Sequence, residues 1–456
     1  MTSSPRTTRS AAIWTLAGLV LLTLNLRAAI TGVPPLLGEL QDTFGLTGVE
    51  VSVLTTLPEL CLGLFSALAP LLARRIGTEA AITAALLVIT AGLLLRVVPA
   101  QTALFSGTVL AAAGMATGNV LVPAVIKRGF PDRVGPLTGL SMMLLSVGGA
   151  AGAGLAVPLD HLGGWRPALA AWAVPALVAA LVWGPLALRA RTHRPERAAA
   201  EAAPSAGAGA GPSAAAGRPR TPAGTSPDAA SGAAAEQGSL LRSPLAWAVM
   251  VFMGMTSLMF YTLTAWLPEI MHDHGFTAAT AGMMNSVIIV IGIPLGFVVP
   301  VVAARMRDQR PLVLGAVALM AVGLVGLLLA PRAGWVWTAV FGVATGSAFP
   351  IALTLLSLRS PNGAVTARLS GMAQSGGYLL AASGPLTFGV LRSVTGGWEA
   401  SIWLLLLLVV PELVCGLLAA RPGFVRPGPP PPDGPEESRP EPAPVSARST
   451  DSDRAR

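Results

Sequence analysis

The feature that most constrains this chain is a series of long apolar runs, each ended by an arginine, a proline or a short polar loop. A helix that crosses the hydrocarbon core of a bilayer needs roughly 20 mainly apolar residues, because lipid offers no partners to the backbone polar groups. Twelve such runs are read here, at approximately 11–33, 50–72, 79–98, 103–126, 135–158, 165–188, 244–266, 277–303, 311–330, 334–356, 368–391 and 398–420. Only 11% of residues are charged and the mean hydropathy is +0.67, which places the chain outside the range of soluble globular proteins. The expected fold class is an all-α membrane protein of twelve transmembrane helices. The first ten residues and the apolar run behind them have the outline of a secretion signal. That run continues through Asn25 and Arg27 without a small-residue cleavage site, so it reads as a retained first span.

Charge sets the expected topology. The net charge of +8 is dispersed among short loops, a pattern that argues for orientation in a membrane and against nucleic acid as a partner. Placing both termini and every second loop in the cytoplasm leaves Arg27, Arg96, Arg166, Arg332 and Arg392 outside or in the membrane. The other 25 of the 30 Lys and Arg residues then lie inside. Acidic residues agree, with Glu39 and Asp42 in one outer loop and Glu269 and Asp273 in another. The expected location is the cell inner membrane, multi-pass, with both termini cytoplasmic. Residues 189–243, dominated by Ala, Gly, Pro, Ser and Arg, read as a disordered cytoplasmic linker, and 421–456 as a tail of the same kind. That leaves 1–188 and 244–420 as membrane units. Cys61 and Cys415 both fall inside spans and offer no disulfide or metal-site spacing.

The two units are repeats of one another. Gly-Met-Ala-Thr-Gly-Asn at 114–119 returns as Gly-Val-Ala-Thr-Gly-Ser at 342–347, and Leu-Thr-Gly-Leu at 137–140 returns as Leu-Ser-Gly-Met at 369–372. Gly-Gly-Trp at 163–165 returns at 396–398, and Gly45-Leu46-Thr47 matches Gly275-Phe276-Thr277. The offsets are 228, 232, 233 and 230. Four matches in order at nearly one offset indicate duplication. Two parallel six-helix repeats are the architecture of major facilitator transporters, with the substrate site near mid-membrane between the halves.

Particular segments carry a narrower resemblance. Asn25-Leu-Arg-Ala-Ala-Ile-Thr-Gly-Val-Pro-Pro-Leu-Leu, Leu54-Thr-Thr-Leu-Pro-Glu-Leu-Cys-Leu-Gly-Leu-Phe, Gly118-Asn-Val-Leu-Val-Pro-Ala-Val-Ile-Lys-Arg and Phe130-Pro-Asp-Arg resemble the cyanate and 2-nitroimidazole transporter family of this superfamily. The resemblance implies a secondary transporter of small solutes, with no cofactor and no ATP site. The superfamily's loop after the second span usually has the form G-x-x-x-D-R-x-G-R-R. Here it reads Pro70-Leu-Leu-Ala-Arg-Arg-Ile-Gly-Thr-Glu, so Arg74 occupies the acidic position, Arg75 follows it, and Glu79 occupies a basic position. The charge pairing of this gating loop would therefore run in reverse polarity.

Ionisable residues inside spans cost about 2.5–3.5 kcal/mol on insertion scales and are functional candidates by default. Thr23, Arg27 and Thr31 share one helical face, and the arginine fork suits a small anion, a carboxylate or a nitro group. The competing reading of Arg27 is a structural cation paired with an acid. Glu59, beside Pro58 at similar depth, is its natural partner: an ion pair or a proton-coupling carboxylate. Glu412 is also deep, and reads as structural. Asn119, Asn285, Tyr261, Gln374 and Tyr378 are candidate pore-lining residues. Trp14, Trp165, Trp247, Trp266 and Trp398 read as interface anchors. Gly148-Gly-Ala-Ala-Gly-Ala-Gly reads as close helix packing. His272 and His274 around Asp273 read as a solvated loop, with no metal site expected.

These observations lead to a monomeric carrier that moves a small anionic or polar organic molecule by rocking of two domains, with protons as the candidate coupling ion. The alternative of the same fold is a broad drug-efflux antiporter, for which Met142, Met143, Met283 and Met284 would line the cavity. A membrane enzyme would need clustered catalytic residues in a span or a folded soluble domain, and the sequence has neither.

Overall fold

A glycine and a threonine at corresponding points explain how each half begins its second span. Gly45 and Gly275 take φ of 64° and 94°, a region unfavourable to any Cβ. Two residues later Thr47 and Thr277 act as N-caps, their hydroxyls accepting from the backbone N–H of Glu50 at 3.3 Å and of Thr280 at 3.2 Å. At Thr47 the Glu50 carboxylate also accepts from the threonine N–H, completing a capping box. The repeated Gly-x-Thr is thus a helix-start signal used twice.

The computed structural model describes residues 9–202 and 239–425. The first half contains α1 (Arg9–Thr31), the short α2 (Leu37–Phe44), α3 (Gly48–Ser66), α4 (Ala69–Ile76), α5 (Thr78–Leu95), α6 (Gln101–Gly129), α7 (Val134–Gly163), α8 (Trp165–Ala170) and α9 (Ala173–Ala202). The second contains α10 (Pro244–Asp273), α11 (Ala278–Arg305), α12 (Arg310–Leu329), α13 (Gly334–Leu358), α14 (Gly363–Thr395) and α15 (Glu399–Ala419). Helix continues past position 189, the expected start of the linker, as far as Ala202. The remainder of the expected linker up to 238, and the expected tail from 426, lie outside the described residues.

Among the described residues ten helical segments are each long and apolar enough to cross a membrane, and α3 with α4, bent by 49° at Ala67 and Leu68, makes an eleventh. α14, expected from the sequence as a further span, has 33 residues but a more polar sequence and is not among them. It packs against α3, α6 and α10, so Ser370, Gln374 and Tyr378 are buried in protein instead of facing lipid.

Small residues set the distances between helices. A Cβ on Gly148 would overlap the Leu24 carbonyl oxygen, and one on Gly152 would lie 2.5 Å from that of Ala28. The glycine run in α7 therefore lets α1 approach backbone to backbone. Asn25, from the motif in α1, donates to the Leu21 carbonyl at 2.7 Å and the Pro175 carbonyl at 3.2 Å, tying α1 to α9.

The halves are in contact at the ends that carry the chain crossing between them. A Cβ on Gly135 would sit 2.5 Å from Ala304 Cβ, one on Gly139 2.6 Å from the Phe297 carbonyl, and one on Gly371 2.5 Å from the Pro70 ring. Ser375 donates to the Gly63 carbonyl at 2.6 Å, and Ser357 to that of Pro123 at 3.4 Å. At the same ends each half has an internal arginine latch. Arg128, closing α6, pairs with Glu79, opening α5. One repeat later Arg359, after α13, donates to Gln309 beside α12 and to the Ala419 and Ala420 carbonyls at 2.8 Å each. Glu79 thus joins helices within one half, and Arg74 and Arg75 are exposed at the end of α4.

Three of the five tryptophans expected as interface anchors are instead packing residues. Trp165 and Trp398 are buried, because each swings inward after a positive-φ glycine and meets an aromatic neighbour. Trp165 packs edge-on against Phe44 at 5.3 Å, and Trp398 stacks on Phe388 at 6.0 Å. Trp266 packs on the same Phe388 and donates to the Pro385 carbonyl at 3.0 Å. Trp14 and Trp247 remain exposed.

Candidate substrate cavity

Between the halves lies a cavity of about 380 Å³, within the size range of small-molecule sites. It is lined by α1, α3, α6 and α7 from the first half and α10, α11, α13 and α14 from the second. It reaches the exposed Pro34 and Thr55, at the side away from the contacts just described.

Seven of the eight expected substrate-contact residues line this cavity: Thr23, Arg27, Thr31, Asn119, Tyr261, Gln374 and Tyr378. Glu59 lines it as well. Asn285 does not; it turns toward α10, where its Nδ2 donates to the Thr264 carbonyl at 3.1 Å. Glu412 is buried but lies outside the lining, with neither carboxyl oxygen hydrogen-bonded among the described residues.

The Arg27 guanidinium is the cavity's basic group and Glu59 its acidic one. The expected ion pair between them is not formed: among the described residues no carboxylate oxygen lies within 4.0 Å of Arg27. Its aliphatic stem lies across Gly149, where a Cβ would sit 3.2 Å from Arg27 Cδ. Glycine in α7 thus makes room for the arginine, which is directed into the cavity without a protein partner for its fork. An unpaired, partly dehydrated guanidinium can recruit an anion bidentately.

The threonines on this face are already engaged as donors. Thr23 donates to the Leu19 carbonyl at 2.8 Å, and Thr31 to that of Gly149 at 2.8 Å. Both shape the wall, and Thr31 holds α1 to α7. Gln374 likewise spends its amide hydrogens, donating to the Asn119 carbonyl at 3.2 Å and to Ser370 Oγ at 2.7 Å, the former a link between halves. The Asn119 carboxamide and the two tyrosine hydroxyls remain available to a ligand. Tyr261 and Tyr378 are the only tyrosines in the sequence, and both are in the wall.

Sequence reading missed the hydroxyls of Thr138 and Ser141 on α7 and Ser257 on α10, and the Phe260 ring. The Thr138 and Ser141 hydroxyls are buried without hydrogen-bond partners among the described residues. One signal was present, since Thr138 belongs to the repeated Leu-Thr-Gly-Leu and its mate Ser370 also faces inward. Of the four methionines named for an efflux cavity, Met142 reaches the lining; Met283 is exposed and Met284 buried elsewhere. At the ends away from the contacts between the halves Asp273 accepts from Arg392 at 3.2 Å and from Trp398 Nε1 at 2.9 Å, so it ties α10 to α14 and α15.

The profile of the Major Facilitator Superfamily matches residues 19–385. The chain is 34% identical over 412 residues to the 2-nitroimidazole transporter of Escherichia coli K12, covering 90% of this chain and 96% of that protein. It is 29% identical over 385 residues to the cyanate transport protein CynX of the same organism, covering 83% and 90%. In fold it is similar to the proton:xylose symporter XylE, with a TM-score of 0.68 at 13% identity over 90% of this chain and 95% of that one. The fucose transporter FucP in its outward conformation gives 0.63 at 15% identity over 89% and 98%. With its duplicated six-helix halves and the cavity between them, the chain belongs to the major facilitator superfamily: it is a multi-pass membrane transporter, not an enzyme, and it resembles the 2-nitroimidazole and cyanate transporters.

Proposed function

We propose that the protein is a secondary active transporter of a small anionic or polar organic solute, of the cyanate-like or nitro-heterocycle class, working by alternating access. The observation that carries this reading is the unpaired Arg27 fork in the cavity between the halves. The named activities of the two relatives support the substrate class. Arg27 takes the negative end of the solute, with Asn119, Tyr261 and Tyr378 around it. Gln374 and the two threonines hold the wall. Glu59, in the same cavity and free of an ion pair, is the proton carrier, and the membrane units 1–188 and 244–420 rock about the site. The glycine contacts at Gly135, Gly139 and Gly371 open when the cavity turns to the other side.

A thermal-shift screen of purified protein tests the substrate class, since a ligand specific to the folded state stabilises it by about 2.7 kcal/mol at one hundred times its Kd. Cyanate or 2-nitroimidazole should raise the melting temperature. A response confined to bulky apolar drugs would select the efflux reading instead.

Topology is tested separately. The charge distribution puts both termini and the segment between the halves in the cytoplasm, which makes the cavity described above outward-facing. In a protein with Cys61 and Cys415 replaced by serine, a cysteine at position 272 should react with an impermeant maleimide from outside, and one at 215 should not. Labelling of 215 from outside would invert the assignment.

A further inference from the structure

The first half also contains a fully buried cation, which does not line the cavity. Arg96, closing α5, is 0% exposed. Its Nη1 donates to the Ala29 carbonyl at 2.6 Å, and its Nε to Thr108 Oγ1 at 3.1 Å. Nη2 has no partner, and among the described residues no carboxylate lies within 4.0 Å.

Packing does not require an arginine here. In the second half Gly326 and Trp337 stand eleven residues apart on the matching pair of helices, the same spacing as Arg96 and Gly107. In the first half the Arg96 stem lies over Gly107, where a Cβ would sit 2.9 Å from Arg96 Cγ. In the second the Trp337 ring lies over Gly326, where a Cβ would overlap the indole. The two halves fill a comparable gap from opposite helices, and the second does so with an uncharged ring. Burying a charge without a counter-charge is costly, so the guanidinium is retained for what it binds.

What it binds is the end of α1. The Val33 N–H would ordinarily bond to the Ala29 carbonyl in a continuing helix. The chain tightens ahead of Pro34 and Pro35, and Val33 bonds instead to the Ile30 carbonyl at 3.2 Å. The Ala29 carbonyl is thereby left to Arg96. It lies two residues after Arg27 and two before Thr31, which anchors the other side of this turn to Gly149. The geometry points to Arg96 as a positioning residue that clamps the end of α1, and with it the Arg27 guanidinium, by satisfying the carbonyl that the break in α1 sets free. Only the effect on substrate rests on the proposed role of Arg27.

Hydrogen exchange on the full chain in lipid nanodiscs tests the clamp without any substrate. Loss of one hydrogen bond from a charged donor should speed exchange of amides 28–33 in Arg96→Met by roughly ten-fold or more, with α10 to α15 unchanged. Arg96→Lys should restore most of the protection. Thr108→Val, which keeps the charge and removes the acceptor that orients the fork, should give a smaller increase and serves if Arg96→Met fails to fold. Unchanged exchange at 28–33, or an equal rise across both halves, overturns the clamp. Cyanate affinity supplies the second readout. If Arg96 acts through Arg27, its roughly ten-fold effect on Kd in the wild type should shrink in an Arg27→Lys background. Full additivity overturns the positioning step. If Arg27→Lys alone leaves cyanate affinity unchanged, the role proposed for Arg27 fails, and the exchange result still decides the clamp.

Discussion

Replacing Arg27 by alanine is expected to abolish transport of cyanate-class solutes while leaving expression and insertion intact. The fork faces the cavity, and among the described residues no carboxylate oxygen lies within 4.0 Å of it, so its removal breaks no direct ion pair. What is lost is a charged hydrogen bond to the ligand, about 1.5–3 kcal/mol, or roughly ten-fold to more than a hundred-fold in affinity. Arg27→Lys should retain part of this, because a point charge replaces a planar fork. The Glu59 variants complete the test. If Arg27 served only to neutralise Glu59, combining Arg27→Ala with Glu59→Ala would restore activity. The separation of the two side chains leads us to expect that it does not. Counterflow exchange needs no proton gradient, so it distinguishes the two residues. Glu59→Gln should exchange solute normally yet fail to accumulate it, whereas Arg27→Ala should fail in both assays. Normal counterflow by Arg27→Ala would remove Arg27 as the anion contact.

The second large effect is conformational. Leucine at Gly139 or Gly371 should destabilise the arrangement in which the halves touch on the side of their connection. The nearest atoms are a backbone carbonyl at 2.6 Å and a proline ring at 2.5 Å, neither of which is a flexible side-chain end. Overpacking of this kind costs about 1–3 kcal/mol, enough to move a two-state equilibrium by roughly five-fold to more than a hundred-fold. The cavity should then open toward the connecting segment, and transport should fall because the return step is blocked. Gly154, where an added Cβ would meet nothing within 4 Å, is the control, and leucine there should be nearly neutral. Cysteine accessibility reads the outcome: a reporter at Thr138 should become reactive from the connecting side in Gly371→Leu. If Gly139→Leu and Gly371→Leu transport as well as Gly154→Leu, these contacts are not a gate.

Much of this organisation is legible in one dimension. Apolar runs of spanning length placed most helix ends to within about five residues, although α9 runs on to Ala202 and α10 to Asp273, since lipid forces each segment to satisfy its own backbone. The repeat fixed their grouping, and Gly45-Leu46-Thr47 with its partner proved to be the same cap built twice. Arg27 was found because a charge in a span is costly enough to need a reason.

The sequence could not say what each polar residue would face. Arg27 and Glu59, at matching depths, suggested a pair that the packing of α1 on α7 does not form. Asn285 turned to α10, Trp165 and Trp398 turned inward, and Arg96, counted only as a charge outside or in the membrane, is fully buried. In a soluble protein hydropathy separates inside from outside, but in a membrane the lipid and the protein interior are equally apolar. The pattern of residues therefore determined which segments are long and apolar enough to cross a bilayer. Only the packing of helix on helix, set by where glycines let backbones meet, decided which side chains reach the cavity and which are used up holding its walls.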